Sequence, residues 1–171
     1  NDFKCDNYFP IVEPLISKEI SRVMSLRDGM KKMSKSEDSD QSRINLKDGK
    51  DLIDQKIKKA KTDNDAIPSE TSGLKNRNEA ANLISIYASI NGIEVAKVLK
   101  EFGGKNFSTF KSKLSESLIE RICPIGDEIK KLLKDKNYLN KILEKGSKKA
   151  DIIAKDNLKE VYDIIGLTKF T

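Results

Sequence analysis

Apolar residues recur at helical spacing through most of the chain. From Asp48 onward they return every three or four residues, which is typical of helices with one buried face. The predicted stripes contain, in successive helices, Ile53, Ile57 and Ala60, then Ala80, Leu83, Ile84, Tyr87 and Ile90, and in the last helix Leu139, Ile142, Leu143, Gly146, Ala150, Ile153, Leu158, Val161 and Ile165. The pattern predicts a mainly α-helical bundle with these stripes in its core.

Residues with strong local preferences predict where the helices begin and end. Asp48 is suited to cap the first helix, because its carboxylate can accept from free backbone amides. The pair Asn91-Gly92 predicts the end of the second helix, and Gly103-Gly104 the end of a shorter helix over Glu94 to Phe102. Each of these helices is then long enough to bury one face.

A longer helix is predicted after residue 107. Ser108 is its candidate cap, and its apolar positions continue to Leu133. Pro124 lies inside this pattern, where a proline removes one backbone donor and crowds the preceding turn. We therefore expect the helix to be kinked or divided near Ile122.

The first 46 residues follow a different pattern. An extended lead-in is followed by Ser21 to Leu26, which is a short strand candidate, and by the turn Arg27-Asp28-Gly29. The polar stretch from Lys31 to Ser42 predicts an exposed, mobile loop. Because one strand cannot build a stable sheet, we predict that it completes a nucleotide-binding sheet whose other strands lie upstream of this chain.

Positive charge is concentrated around that loop. The chain has a net charge of +6, and residues 31–61 contain ten basic and six acidic side chains. The polar face of the first predicted helix carries Lys56, Lys58, Lys59 and Lys61. Two interpretations carry equal weight for these lysines: a solvated helix face, or contact with phosphate groups.

The absence of histidine limits the chemistry of the chain. Its 171 residues contain no His, so Ser-His or Cys-His nucleophilic catalysis cannot be assembled from them. The two cysteines, Cys5 and Cys123, lack the spacing of a metal site and are predicted to be reduced, as in a cytosolic-type compartment. No apolar run approaches the roughly 20 residues of a membrane-spanning helix.

The pentapeptide Lys32-Met33-Ser34-Lys35-Ser36 is the strongest candidate for a binding site. Two ammonium groups and two hydroxyls on a short polar segment can converge on phosphate oxygens. A lysine-rich surface loop without a ligand is the alternative. The sequence on either side of the pentapeptide decides between the two interpretations.

These flanking segments resemble the tryptophanyl-tRNA synthetase family of class I aminoacyl-tRNA synthetases. The pentapeptide matches the second signature of that class, and the likeness extends to Gly166-Leu167 through Arg22 to Asp28, Ser42 to Leu46, Lys56 to Asp63, Asn82 to Ala88 and Glu101 to Gly104. The segment from Pro68 to Arg77 is most similar to the α-proteobacterial and mitochondrial branch. One departure is Gly29-Met30, where the family often has Pro-Thr, which could loosen the entry to the loop.

The resemblance implies roles for individual residues. Lys35, supported by Lys32, would stabilise the pyrophosphate that leaves ATP. Hydroxyl or backbone donors of Ser34 and Ser36 would bind phosphate. The backbones of Met33 and Val23 would lie near adenine.

The resemblance also implies a division of labour within a longer enzyme. Residues 1–46 would be the end of a Rossmann-type catalytic domain, and residues 47–171 a helical domain that helps to recognise the anticodon of tRNA(Trp). The substrates would be L-tryptophan and ATP with Mg²⁺. The full-length enzyme would be a homodimer in the bacterial cytoplasm, with the mitochondrial matrix as the alternative location, and this chain by itself could be a monomer. This chain alone would be inactive, and its loop would be open or poorly ordered without ATP. The alternative is a stand-alone basic helical module that binds RNA without catalysis.

Overall fold

A computed structural model describes residues 8–16 and 20–167 of the chain. It contains two compact units. One consists of the described residues between 16 and 130, and the other combines residues 8–15 with residues 131–167. Cys123 carries a free thiol, as predicted, whereas Cys5 lies outside the described residues.

The described residues form five α-helices and two short 3-10 helices. The α-helices are α1 (Lys50–Lys58), α2 (Asn78–Asn91), α3 (Val95–Phe102), α4 (Phe107–Lys134) and α5 (Lys136–Ile165), and the 3-10 helices are Asp40–Ser42 and Thr71–Leu74. The prediction of a mainly helical chain is confirmed. Among the helices so described, none has the length and apolar character needed to cross a membrane.

The core of the larger unit is formed by α1 to α4. The predicted stripes of α1 and α2 are confirmed, because Ile53, Ile57 and Ala60 are buried together with the α2 residues Ala80, Leu83, Ile84 and Tyr87, while Ile90 packs against them. Phe102 and Phe110 join Tyr87 in an aromatic cluster with ring centroids 5.1–5.5 Å apart. This packing fixes α1 and α2, which carry the side chains that hold the N-terminal segment of the unit.

The glycine stops are confirmed and the predicted caps are wrong. Gly92 ends α2 in the left-handed conformation, with φ at 63°, and Gly103 follows α3. Asp48 does not cap α1, because its carboxylate binds the buried Lys56 ammonium and the Asn45 amide instead. At the start of α4 the side chain of Asn106, two residues before Ser108, accepts from the Thr109 amide at 3.0 Å.

Pro124 lies within α4 and does not divide it, contrary to one of the two predicted outcomes. The helix is continuous from Phe107 to Lys134. A proline removes only its own donor, while the flanking turns keep their hydrogen bonds. Those turns are also held by packing, since Ile122 and Cys123 contact the core and Gly126 lies against the carbonyl of Leu46.

The predicted strand over Ser21 to Leu26 is not formed. Within the described residues its only ladder contact is an isolated antiparallel bridge between Met24 and Lys32. The Asn82 side chain on α2 takes the place of a neighbouring strand, because it accepts from the Met24 amide and donates to the Met24 carbonyl, both at 2.9 Å. One side-chain amide thus satisfies both backbone groups of Met24.

The core prediction for α5 is wrong. None of its residues is buried, and of the nine predicted core positions only Leu139 and Val161 are half-buried. The others are exposed, including Leu143 at 69% and Ile153 at 64%. An amphipathic period predicts that one helix face is apolar, but it does not supply the surface that would cover it.

Arg77 organises the loop between α1 and α2. Its guanidinium donates to the Asp63 carboxylate, with an Nε–Oδ2 distance of 2.8 Å, and to the Ala66 carbonyl at 3.0 Å. The hydrogen bond from Arg77 lowers the pKa of Asp63 from its usual value of 3.8. Because this pKa is lowered by folding, the ion pair stabilises the fold above about pH 4 and loses that effect as the pH falls further.

We therefore expect Asp63→Asn to lower the free energy of unfolding by about 1 kcal/mol at pH 7, a value that allows for solvent screening of a partly exposed pair. The loss should be smaller at pH 3, where the unfolded wild-type carboxyl is mostly protonated. Urea unfolding at the two pH values measures both quantities. Asp38→Asn, which removes the same charge from an exposed position whose side chain has no ion pair or hydrogen bond among the described residues, is the control. An equal loss for Asp63→Asn at both pH values would contradict the linkage.

Candidate functional site

A wide cleft in the larger unit is lined by Lys32 to Lys35 of the pentapeptide and by the segment from Arg43 to Asp48, which precedes α1. Its volume is about 1160 Å³, and its lining consists of Ser21, Arg22, Val23, Lys32, Met33, Ser34, Lys35, Arg43, Ile44, Asn45, Leu46, Lys47, Asp48 and Ile129. Five of these side chains are basic and one is acidic. The acidic one, Asp48, is already paired with Lys56, so the cleft presents an excess of positive charge to solvent.

Backbone hydrogen bonds bring Val23 against the pentapeptide. The Met33 amide donates to the Val23 carbonyl at 3.0 Å, and the Ser25 amide donates to the Lys31 carbonyl at 2.8 Å. These two bonds form the antiparallel bridge between Met24 and Lys32. Five of the six site residues predicted from the sequence line this cleft, namely Val23, Lys32, Met33, Ser34 and Lys35.

Lys32 and Lys35 are exposed, and their ammonium groups have no ion pair or hydrogen bond among the described residues. By contrast, the neighbouring Lys31 ammonium lies 4.0 Å from the Asp28 carboxylate. An unpaired ammonium at the edge of a cleft can bind an anion without first losing another partner. In the part of the chain that the structure describes, no group of His, Cys, Asp or Glu side chains could hold a metal ion.

The two serines of the pentapeptide contact each other. Their hydroxyl oxygens are 2.9 Å apart, and the Ser36 amide donates to the Ser34 hydroxyl at 3.3 Å. Ser34 lines the cleft, whereas Ser36 does not. The direct phosphate contact assigned to Ser36 stays a prediction, and in this structure Ser36 instead orients the Ser34 hydroxyl.

Arg43 is a site residue that the sequence interpretation missed. One nitrogen of its guanidinium, Nη1, donates to the Glu37 carbonyl at 2.8 Å, with the carbonyls of Ser39 and Ser34 at 3.4 and 3.5 Å. A single side chain thus holds three backbone carbonyls of the polar loop. The loop was predicted to be open or poorly ordered from its polar sequence. A polar sequence gives no indication that a side chain such as Arg43 binds the backbone of the loop.

Lys56 contradicts both interpretations of the basic face of α1. Its side chain is fully buried, and its ammonium lies 2.6 Å from an Asp40 oxygen and 2.7 Å from an Asp48 oxygen. It therefore neither faces solvent nor reaches a phosphate. The hydrogen bond from Lys56 lowers the pKa of Asp40 from its usual value, so this carboxyl is ionised at neutral pH.

The remaining lysines of that face are exposed. The ammonium of Lys58 pairs with Asp54 at 2.6 Å, and that of Lys61 pairs with Glu79 at 2.8 Å. Neither lines the cleft. The solvated-face interpretation therefore fits these two residues.

Gly29 packs closely against the start of α2 at the entry to the loop, and the loosening predicted relative to Pro-Thr stays a prediction. A Cβ atom built on it would lie 2.7 Å from the Glu79 amide nitrogen and 2.8 Å from the Asn78 carbonyl carbon. Only a residue without a side chain allows the turn to approach the start of α2 so closely. At this position, where the sequence departs from the family pattern, the backbone of Gly29 packs closely against Asn78 and Glu79.

Comparison with known proteins identifies the family of the chain. The sequence model of the class I tRNA synthetases (W and Y) matches residues 1–122. The chain therefore belongs to that family, as its motifs predicted.

Among individual proteins, the chain is similar to tryptophan–tRNA ligases. It is 53% identical over 162 residues to the enzyme of Agrobacterium fabrum and 50% identical over 162 residues to that of Mesorhizobium japonicum. In both cases the match covers 95% of this chain and 46% of the relative. The predicted likeness to the α-proteobacterial branch is confirmed.

A solved structure supports the same relationship at the level of the fold. The crystal structure of tryptophanyl-tRNA synthetase from Mycoplasma pneumoniae superposes with a TM-score of 0.71 at 26% identity. The superposition covers 90% of this chain and 47% of the Mycoplasma pneumoniae chain. The chain thus spans about half the length of the curated relatives it matches. The sheet that is predicted upstream stays a prediction.

Proposed function

We propose that this chain supplies the phosphate-binding loop and the helical portion of a tryptophan–tRNA ligase. The observation that carries the proposal is the pair of unpaired ammonium groups, Lys32 and Lys35, at the edge of a basic cleft in a chain 53% identical to such a ligase. The substrates would be L-tryptophan, ATP and tRNA(Trp). A Mg²⁺ ion would accompany ATP as part of that substrate.

In the first half-reaction, a carboxylate oxygen of tryptophan attacks the α-phosphorus of ATP. A new bond forms between that oxygen and phosphorus, and the bond from the α-phosphorus to the bridging oxygen breaks, so that pyrophosphate leaves with the bonding electrons. Negative charge grows on the leaving group in the transition state. Cations that approach it more closely at that point than in the ground state lower the barrier.

Lys35 is the proposed cation for that charge, with Lys32 in support. Met33 and Val23 would face the adenine through their backbones, since the bond between them places both at the same wall of the cleft. The Ser34 hydroxyl, oriented by Ser36, would donate to a phosphate oxygen. Val23 and Met33 would thus position the nucleoside, while the lysines act on the phosphates.

The helices would contact tRNA(Trp), whose anticodon region offers phosphates and exposed bases. Support comes from α5, where four exposed lysines, Lys141, Lys145, Lys148 and Lys149, lie around one shallow groove. Such phosphate contacts would make tRNA binding weaken steeply with salt. The whole enzyme would act as a homodimer in the bacterial cytoplasm.

The test is the activity of the full-length protein encoded by the gene. We expect tryptophan-dependent exchange of pyrophosphate into ATP, and charging of tRNA(Trp) with tryptophan. Tyrosine and tRNA(Tyr) serve as matched controls, because the family includes enzymes for both amino acids. Salt-dependent tRNA binding without any exchange would contradict the proposal and favour a non-catalytic RNA-binding module.

A further inference from the structure

We infer that Lys56 is a positioning residue for the loop from Lys32 to Ser36, acting through Asp40 and Arg43. The inference rests on the proposed function of that loop. It assigns a role in the ATP site to a buried side chain that lies outside the cleft lining.

Lys56 places a charged group in a buried, largely apolar position of α1. The Lys56 side chain has no exposed surface, and its neighbours on α1, Ile53 and Ile57, are fully buried as well. Removing an ammonium from water is costly, and apolar replacements of buried ion pairs are often at least as stable. Stability alone therefore does not explain a lysine at this position.

A chain of contacts leads from Lys56 through Asp40 and Arg43 to the loop. One oxygen of Asp40 accepts from Lys56 at 2.6 Å, and the other lies 3.1 Å from Nη2 of Arg43. The Nη1 atom of Arg43 then donates to the loop carbonyls, of which Ser34 belongs to the pentapeptide itself. We call Lys56, Asp40 and Arg43 the relay.

The relay has a rigid base and a second support. Lys56 is fixed by its position on α1, and Asp48, only 7% exposed, holds its ammonium from the other side at 2.7 Å. The Asp48 carboxylate also accepts from the Asn45 amide at 2.9 Å, and the Asn45 side chain donates to Asp40 at 2.9 Å. The segment after the loop is thereby tied to α1 at several points.

The relay acts by geometry, and together with Asp48 it has no net charge. Lys56 and Arg43 are balanced by Asp40 and Asp48, so the four groups sum to zero. Their end contacts are to backbone carbonyls, which fix the path of the loop whatever its side chains are. A displacement of about 1 Å in a reacting group can lower a rate about 100-fold, so the position of the loop is sufficient to matter.

The test compares two aspartates in the full-length protein. Lys56→Met could fail to fold because it leaves Asp48 buried without a partner, so the decisive variant is Asp40→Ala, which removes a carboxylate that is 49% exposed. The matched control is Asp38→Ala, which removes the same charge from an exposed loop position with no ion pair or hydrogen bond of its side chain among the described residues. Unfolding by urea confirms that both variants are folded.

A pure charge effect and the relay predict opposite changes in kcat/KM for ATP. If only charge mattered, removing either would favour the ATP anion slightly, by about twofold at physiological salt. The relay predicts instead that Asp40→Ala lowers kcat/KM for ATP in the exchange reaction by about 10- to 100-fold, with the KM for tryptophan unchanged. It also predicts that amides in residues 34–45 exchange hydrogen about tenfold faster in Asp40→Ala than in wild type or Asp38→Ala.

The two readouts separate this inference from the proposed function. Faster amide exchange in a protein whose wild type lacks tryptophan-dependent activity would uphold the relay and overturn the function. Unaltered amide exchange in Asp40→Ala would overturn the relay. The same holds for an unaltered kcat/KM for ATP when the wild type is active.

Discussion

Replacing Lys35 by alanine in the full-length protein is expected to lower tryptophan-dependent ATP–pyrophosphate exchange by about 100- to 1,000-fold, the range found when one stabilising donor is removed from a transition state. The Lys35 ammonium is exposed at the cleft and has no ion pair in the described structure, so its removal costs no internal contact. The whole effect should therefore appear in the chemistry of ATP. Tryptophan binding, measured by equilibrium dialysis, should be unchanged.

Lys31→Ala is the matched control for Lys35→Ala. Lys31 has the same charge, belongs to the same polar segment and is exposed, but it lies outside the cleft lining and its ammonium faces Asp28. The control should retain exchange activity to within about threefold, since a screened surface charge contributes little at this distance. Exchange by Lys35→Ala close to the wild-type rate would show that Lys35 does not stabilise the leaving pyrophosphate.

Local sequence signals predicted most of the helices correctly. The stripes of α1 and α2 and the glycines after α2 and α3 depend on residues within a turn or two of one another. The strand over Ser21 to Leu26 was predicted to pair with strands upstream of this chain, and in the described residues it forms only the isolated bridge between Met24 and Lys32. Asn82, 58 residues beyond Met24, bonds both backbone groups that a neighbouring strand would have bonded.

The sequence contains a signal for the burial of Lys56. Residues 53, 56, 57 and 60 follow the spacing i, i+3, i+4 and i+7, which places Lys56 on the apolar stripe with Ile53 and Ile57. The charge of a lysine favours the polar face of a helix, and that preference outweighed the spacing in the prediction. The nearby acids, Asp40 and Asp48, could have been recognised as partners only once the loop was folded over α1.

The residues of the candidate site that belong to a known sequence motif could be predicted. Val23, Lys32, Met33, Ser34 and Lys35 all came from the resemblance, and they line one cleft. Arg43 was missed because it contacts backbone carbonyls, and a carbonyl is the same in every residue. Sequence patterns therefore indicated the groups that face the cleft better than those that hold the loop in place. The predicted boundary between two functional domains at residue 46 stays a prediction.

The core behind the cleft leads to the second large expected effect. Phe110 of α4 is fully buried, and its ring packs against Phe102 and Tyr87 with centroid distances of 5.1 and 5.5 Å. Phe110→Ala should lower the free energy of unfolding by about 3–5 kcal/mol, because it removes a large apolar side chain and leaves a cavity among rings that cannot collapse into it. Urea unfolding of the 171-residue chain measures this loss.

The matched control is Ile125→Ala, on the same helix, at a side chain that is 48% exposed. It should cost under about 1 kcal/mol, since much of its surface is already in water. The core also contains α2, whose Asn82 holds Met24, the residue after the cleft residue Val23. Phe110→Ala should therefore expose the loop amides to faster hydrogen exchange as well. A loss from Phe110→Ala no larger than that of the control would mean that the aromatic cluster does not hold α2 to α4. The position of the cleft wall would then have to depend on the contacts of α1 alone.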